Sequence, residues 1–252
     1  MTGIFDKLLE IKAERGGGFL VLLDPDRVGE NELLATAEKA EECEVDALLV
    51  GSSLAIKGNF HESVKKIKAA TNLPVIIFPG AHSQISPYAD AILFTALLSG
   101  RNPQYLIDEQ LKGAPIIKKF GLEPIPTAYL LIESGKYTSV QYMSNTLPIP
   151  SDKHDIVCAY ALTAQYFGMK AVFLEAGSGA SRTVPEVLIS DVVDYVDIPL
   201  IVGGGIRTPE EVEKKIMAGS SFVIVGNHFE KSGDRRLMEF ARAAHIRESI
   251  KI

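Results

Sequence analysis

Short apolar runs rich in β-branched residues recur along the chain, at positions 19–23, 47–50, 75–78, 91–94, 124–131, 171–174, 200–202 and 222–225. They lack the polar–apolar alternation of a sheet with one wet face, so they predict parallel strands buried on both sides. Segments of helical period lie between most of them. Residues 31–43 place Leu33, Leu34, Ala37 and Ala40 at helical spacing, and residues 152–167 do the same with Ile156, Tyr160 and Thr163. Thr208-Pro209-Glu210-Glu211 reads as a helix start, with Thr as N-cap, Pro at the first helical position and acids in the first turn. Eight strand–helix repeats in 252 residues predict a (β/α)8 TIM barrel. A doubly wound open sheet is the alternative, with fewer strands. No linker or low-complexity stretch divides the chain, so residues 1–252 are expected to form one domain.

Two places break the rhythm. Only twelve residues, with two prolines and a glycine, separate Phe78 from Ala91, too little for a full crossover helix. A barrel lacking one outer helix has a gap in its ring, and a gap can be a groove. The second break, residues 133–151, is polar and turn-rich. A loop of that length inside a compact domain is either a functional lid or a surface insertion.

Composition narrows the field. Lys and Arg number 26 against 32 Asp and Glu, a net charge of −6. That balance argues against a general nucleic-acid binder or a polybasic membrane anchor, but it leaves room for a small anionic substrate held by backbone amides. No apolar run is long enough to span a bilayer, and the N-terminus does not read as a signal peptide, so no stable membrane insertion and a cytoplasmic location are expected. The two cysteines, Cys43 and Cys158, fall in apolar stretches and read as buried thiols. None of the five histidines shows metal-ligand spacing.

In such a barrel the chemistry collects where strands end. Strand one ends in Asp24-Pro25-Asp26-Arg27, strand two in Gly51-Ser52-Ser53, strand six in Glu175-Ala176-Gly177-Ser178-Gly179, strand seven in Gly203-Gly204-Gly205 and strand eight in Gly226-Asn227. Glycine turns at three successive strand ends, one leading into a helix N-terminus, predict a phosphate cradle. Asp24 and Ser53 suit a hard cation such as Mg²⁺, although Asp24-Pro25 also reads as a simple Asp-turn. Asp26 either helps there or caps a turn. Glu175 is placed to accept a proton from a substrate hydroxyl as general base, or else is a structural carboxylate paired with a basic neighbour. Arg27 and Arg207 either face anionic groups or lie solvated, and Tyr129 either lines an apolar channel or fills the barrel.

Taken in order and spacing, Leu23-Asp24-Pro25-Asp26, Gly51-Ser52-Ser53, Tyr142-Met143-Ser144-Asn145-Thr146 with Pro148-Ile149-Pro150, the run from Phe173 to Gly179, Val202-Gly203-Gly204-Gly205-Ile206-Arg207 and Val225-Gly226-Asn227 resemble one family. The chain is similar over nearly its whole length to the geranylgeranylglyceryl phosphate synthases and the related heptaprenylglyceryl phosphate synthases. The Tyr-Met-Ser-Asn-Thr stretch looks like the subgroup that includes some bacterial members. The resemblance implies a modified TIM barrel whose third helix is replaced by an irregular segment. It implies Mg²⁺-dependent transfer of a geranylgeranyl or similar group from a prenyl diphosphate to the C3 hydroxyl of sn-glycerol 1-phosphate, in ether phospholipid biosynthesis. It implies that Asp24 and Ser53 bind Mg²⁺. It assigns glycerol phosphate to Phe173, Leu174, Glu175, Ala176, Gly177, Ser178, Gly179, Gly204, Gly205, Gly226 and Asn227. A homo-oligomer is expected by the same likeness. The rival expectations are another phosphate-binding barrel enzyme, FMN-dependent or a sugar-phosphate isomerase, and a non-enzymatic phosphate-ligand sensor.

Overall fold

The computed structural model describes residues 2–54, 56, 58–226 and 233–249. The elements run α1 (Ile4–Arg15), β1 (Gly18–Leu23), α2 (Glu30–Glu42), β2 (Ala47–Val50), α3 (Phe60–Ala69), β3 (Val75–Ile77), β4 (Ala91–Leu97), α4 (Glu109–Phe120), β5 (Glu123–Leu131), α5 (Ser139–Ser144), α6 (His154–Tyr166), β6 (Ala171–Glu175), α7 (Glu186–Tyr195), β7 (Leu200–Gly203), α8 (Pro209–Met217), β8 (Phe222–Val225), α9 (Gly233–Ala244) and α10 (Ile246–Ser249). All eight strands pair in parallel with their sequence neighbours, and β8 pairs with β1, so the sheet closes into a TIM barrel.

The expected burial on both faces holds. Alternate residues of the strands point inward and outward, and both sets are apolar. Leu20, Leu49, Ile76, Leu93, Ile125, Phe173, Ile201 and Ile224 belong to an inner cluster, which Phe5 and Leu8 of α1 join. Val21, Leu48, Ile77 and Val223 pack outward on α2, α3, α8 and α9, while Leu130, Val172, Leu174 and Val202 pack on α6 and α7. A fully buried Leu or Ile contributes roughly 1.5–3 kcal/mol relative to exposure, so this double layer supplies the main driving force. The helix start read from sequence is present: Thr208 Oγ1 accepts the Glu211 N–H at 3.2 Å, and the Glu211 carboxylate accepts the Thr208 N–H in return. Both cysteines are buried, as the apolar stretches around them predict.

Both irregular places matter for the site. Between β3 and β4 the chain makes only a short 3₁₀ turn, His82–Gln84, so the third outer helix is missing as expected. Gln84 is buried and staples this segment to the end of β2: its amide donates to the Ser52 carbonyl at 2.8 Å, and its Oε1 accepts the N–H groups of Ser52 and Gly80. The segment 133–151 is better ordered than its turn-rich composition suggests. It carries α5, N-capped by Thr138, and Ile149 returns to bridge Ile132 in parallel. Among the described residues no helix is long and apolar enough to cross a membrane.

Candidate active site

The ends of β1, β2, β6, β7 and β8 meet at one mouth, around a cavity of about 480 Å³. Asp24, Ser53, Glu175, Ser178, Gly179, Gly204, Gly205 and Gly226 all line it. Asn227 lies outside the described residues. The remaining predicted positions are near but do not face the cavity. Phe173 is fully buried in the barrel interior, and Leu174 and Ala176 belong to the outer layer. Gly177 is buried and turns its N–H onto Glu175. The period-two geometry of a strand sorts the run in this way, so a seven-residue stretch cannot present every side chain to one ligand.

Glu175 closes β6, opposite Leu131 of β5 and Gly203 of β7. Its side chain is buried and accepts the Gly177 N–H at 2.7 Å. Among the described residues no cation pairs with it, so the basic neighbour of the structural reading is missing. Burial pushes its pKa up to about 7, with the Gly177 N–H pulling the other way. That value suits a group that exchanges a proton near neutrality. The neighbouring glycines make room for it. A Cβ on Gly204 would collide with Glu175 Oε1 and with the Gly177 nitrogen, and Gly204 sits at φ +85°, a region side chains disfavour. Gly205 follows at φ +75°, and α8 begins just beyond. Below this rim Phe78 and Tyr129 form an aromatic floor, packed on the buried Phe173 with ring centroids 5.4–6.1 Å apart. Burial, and then the charge of Glu175, raises the Tyr129 phenol well above its ordinary range.

At the opposite side of the mouth Asp24 does two jobs at once. Its Oδ1 accepts the Asp26 N–H at 3.0 Å, which is the Asp-turn, while Oδ2 lies 3.3 Å from Arg27 Nε. Burial lifts its pKa above the usual carboxylate range, against hydrogen bonds from the Asp26 N–H and the Ser52 hydroxyl and the Arg27 charge. Asp26 is a brace: its carboxylate accepts the Ile56 N–H. Arg207 lines the rim and donates to the Ala180 carbonyl at 2.6 Å, tying the β7 turn to the β6 turn.

The same cavity continues as an apolar groove in the gap left by the missing helix. Phe78, Ile85, Ile92, Phe94 and Ile117 line it, and Val140 and Met143 of α5 complete the wall. His82 and Glu109 add a polar pair, Nδ1 to Oε2 at 2.7 Å. Burial pushes Glu109 up, but hydrogen bonds from the His82 backbone and ring and from Gln104 outweigh it and hold the carboxyl below its ordinary range. Sequence reasoning missed this pair, the Gln84 staple and the Thr138 contact beneath Gly177. Each links segments far apart in the chain, and none has a local signature.

Comparison with known proteins agrees with this geometry. Residues 9–244 match the model of the PcrB family. A geranylgeranylglyceryl phosphate synthase of Chitinophaga pinensis is 43% identical over 96% of this chain and 96% of its own length. One from Thermococcus kodakarensis is 46% identical over 92% of this chain and 91% of its own. The crystal structure of (S)-3-O-geranylgeranylglyceryl phosphate synthase from Thermoplasma acidophilum, in complex with its substrate sn-glycerol-1-phosphate, superposes with a TM-score of 0.91 at 36% identity, covering 98% of this chain and all of that one. With its closed barrel, missing third helix and acid-bearing glycine rim, this chain belongs to the PcrB family, alongside the geranylgeranylglyceryl phosphate synthases it matches over nearly its whole length.

Proposed function

We propose that this protein transfers a geranylgeranyl or similar prenyl group from a prenyl diphosphate to the C3 hydroxyl of sn-glycerol 1-phosphate, an early step in ether phospholipid synthesis. The observation that carries this reading is the single cavity in which a polar, glycine-rimmed mouth runs on into an apolar groove. A substrate pair with a small phosphate at one end and a long hydrocarbon at the other fits such a cavity. The rival phosphate-binding enzymes expected from the glycine turns alone leave the groove without a use.

The backbone amides of the β6 and β7 turns and of Gly226, with the Ser178 hydroxyl, hold the glycerol phosphate and fix the orientation of its free hydroxyl. Glu175 accepts that hydroxyl's proton while the oxygen lone pair forms the new bond to C1 of the prenyl chain. The C1–O bond to the diphosphate breaks, and its electron pair leaves with the diphosphate oxygen. The groove buries the tail, each desolvated CH₂ contributing about 0.8 kcal/mol, and the aromatic floor keeps water from the reacting carbon.

The donors at the Asp24 side fit Mg²⁺. One carboxylate and one hydroxyl lining the same mouth, on Asp24 and Ser53, are hard oxygen ligands, and they leave most of a coordination shell for water and diphosphate. The buried carboxylate also faces a cation already, in Arg27. When bound, Mg²⁺ neutralises diphosphate charge and makes it a better leaving group. The test is an assay of purified protein with labelled sn-glycerol 1-phosphate and prenyl diphosphates of several lengths, with and without EDTA. Metal-dependent formation of the ether product is expected; no transfer from any prenyl donor overturns the reading.

A further inference from the structure

Arg27 stands across the cavity mouth. Its Nε is 3.3 Å from Asp24 Oδ2, and its Nη1 donates to Ser178 Oγ at 2.9 Å. One side chain thus joins the acid after β1 to the serine after β6, residues that the reading above gives to the metal side and to the glycerol phosphate side. The guanidinium carries five N–H groups; one donates to Ser178, while the contact with Asp24 is an ion pair. The side chain is 47% exposed, so it has room to re-aim. The other arginine lining the cavity, Arg207, is committed to the Ala180 carbonyl.

Resting on the prenyl-transfer reading, we propose that Arg27 is the protein cation that grips the diphosphate of the donor substrate, and that before substrate arrives it acts as the counter-charge of Asp24. Two arguments support this. A guanidinium and a divalent cation repel each other and compete for the same carboxylate oxygen, so loading the Asp24 side must loosen the Arg27–Asp24 pair. An arginine released there sits where the electron pair of the breaking C1–O bond arrives on diphosphate oxygen. Its planar fork matches two phosphate oxygens at once, which a lysine ammonium does not.

The experiment measures binding, with full-length protein. Mn²⁺ alone is titrated by electron paramagnetic resonance, inorganic pyrophosphate with saturating Mg²⁺ by calorimetry, and sn-glycerol 1-phosphate without metal by calorimetry. Arg27→Met is expected to weaken pyrophosphate roughly tenfold or more, the size of a lost charge-assisted contact. It should tighten Mn²⁺ by about threefold, because a competing charge is gone, and move glycerol phosphate by less than about threefold. Arg27→Lys should fall between wild type and Arg27→Met on pyrophosphate. Should Arg27→Met fail to fold, as its thermal transition shows, Arg27→Gln carries the same expectations. Pyrophosphate affinity kept within about twofold of wild type, weaker Mn²⁺ binding, or equal loss of all three ligands overturns the proposal. Wild-type protein that binds neither pyrophosphate nor glycerol phosphate overturns the prenyl-transfer reading itself, a separate outcome.

Discussion

Two buried carboxylates sit at opposite ends of the barrel and live differently. Asp46, just before β2, is fully engaged. It accepts the Phe19 N–H at 2.7 Å, lies 2.9 Å from His245 Nε2 and 3.3 Å from Arg15 Nη1, and so ties β1, α1 and the chain after α9 together. Glu175, at the C-terminal end of β6, has one backbone N–H, no described cation and an open cavity in front of it. The first end of the barrel satisfies its charge within the protein, whereas the second leaves one waiting for a partner. That is the division expected of a TIM barrel, with stability at the N-terminal face and chemistry at the C-terminal face.

The sharpest way to break the comparison is to neutralise Glu175. Glu175→Gln should lower turnover by about 10²–10⁴-fold, the usual range for a lost general base. The same variant should not lose stability. A carboxyl raised from its unfolded value to about 7 stabilises the fold fully below its unfolded pKa, and that contribution is lost as pH rises through 7. Wild-type stability should therefore fall by of order 3 kcal/mol between pH 4.5 and 8 from this group, and urea titrations should show that slope flattened in Glu175→Gln. Wild-type kcat/KM should move the opposite way, rising through neutral pH as the base ionises. A variant that keeps both full turnover and the wild-type pH slope removes Glu175 from the mechanism.

Asp46→Ala tests the other end. Removing one member of a buried charge network should cost about 3–5 kcal/mol in urea unfolding, with activity per folded molecule kept. A comparable loss of activity per folded molecule would mean that the two ends are not independent. Gly204→Ala sharpens the active end: the new methyl meets Glu175 and Gly177 at a positive φ, costing about 1–3 kcal/mol of strain. Calorimetry should show weakened sn-glycerol 1-phosphate binding. The smallest effect belongs to Thr208→Ala, which removes the α8 cap behind the glycine bend and should cost about 1 kcal/mol of stability with little change in binding.

Much of this was legible in the chain. Strands buried on both faces must be apolar throughout, so all eight announced themselves, and the shortage of residues between Phe78 and Ala91 announced the missing helix. Because barrel chemistry gathers at strand ends, Asp24, Glu175 and the glycine turns could be named as one constellation before any coordinates. Expected edges slipped where pairing outlasts the apolar run: β4 reaches Leu97 and β6 takes in Glu175.

Local sequence therefore determined the eight strands, the closed architecture and the acids and glycines of the rim, though not α5, since propensity, turn chemistry and hydrophobic period act over a few residues. Tertiary structure alone decided what those groups meet. Arg27 reaches Ser178 across 151 positions and His245 reaches Asp46 across 199. Whether a buried acid is neutralised or left with a raised pKa depends on such long-range neighbours. No window along the chain contains them, because closing the barrel is what brings them together.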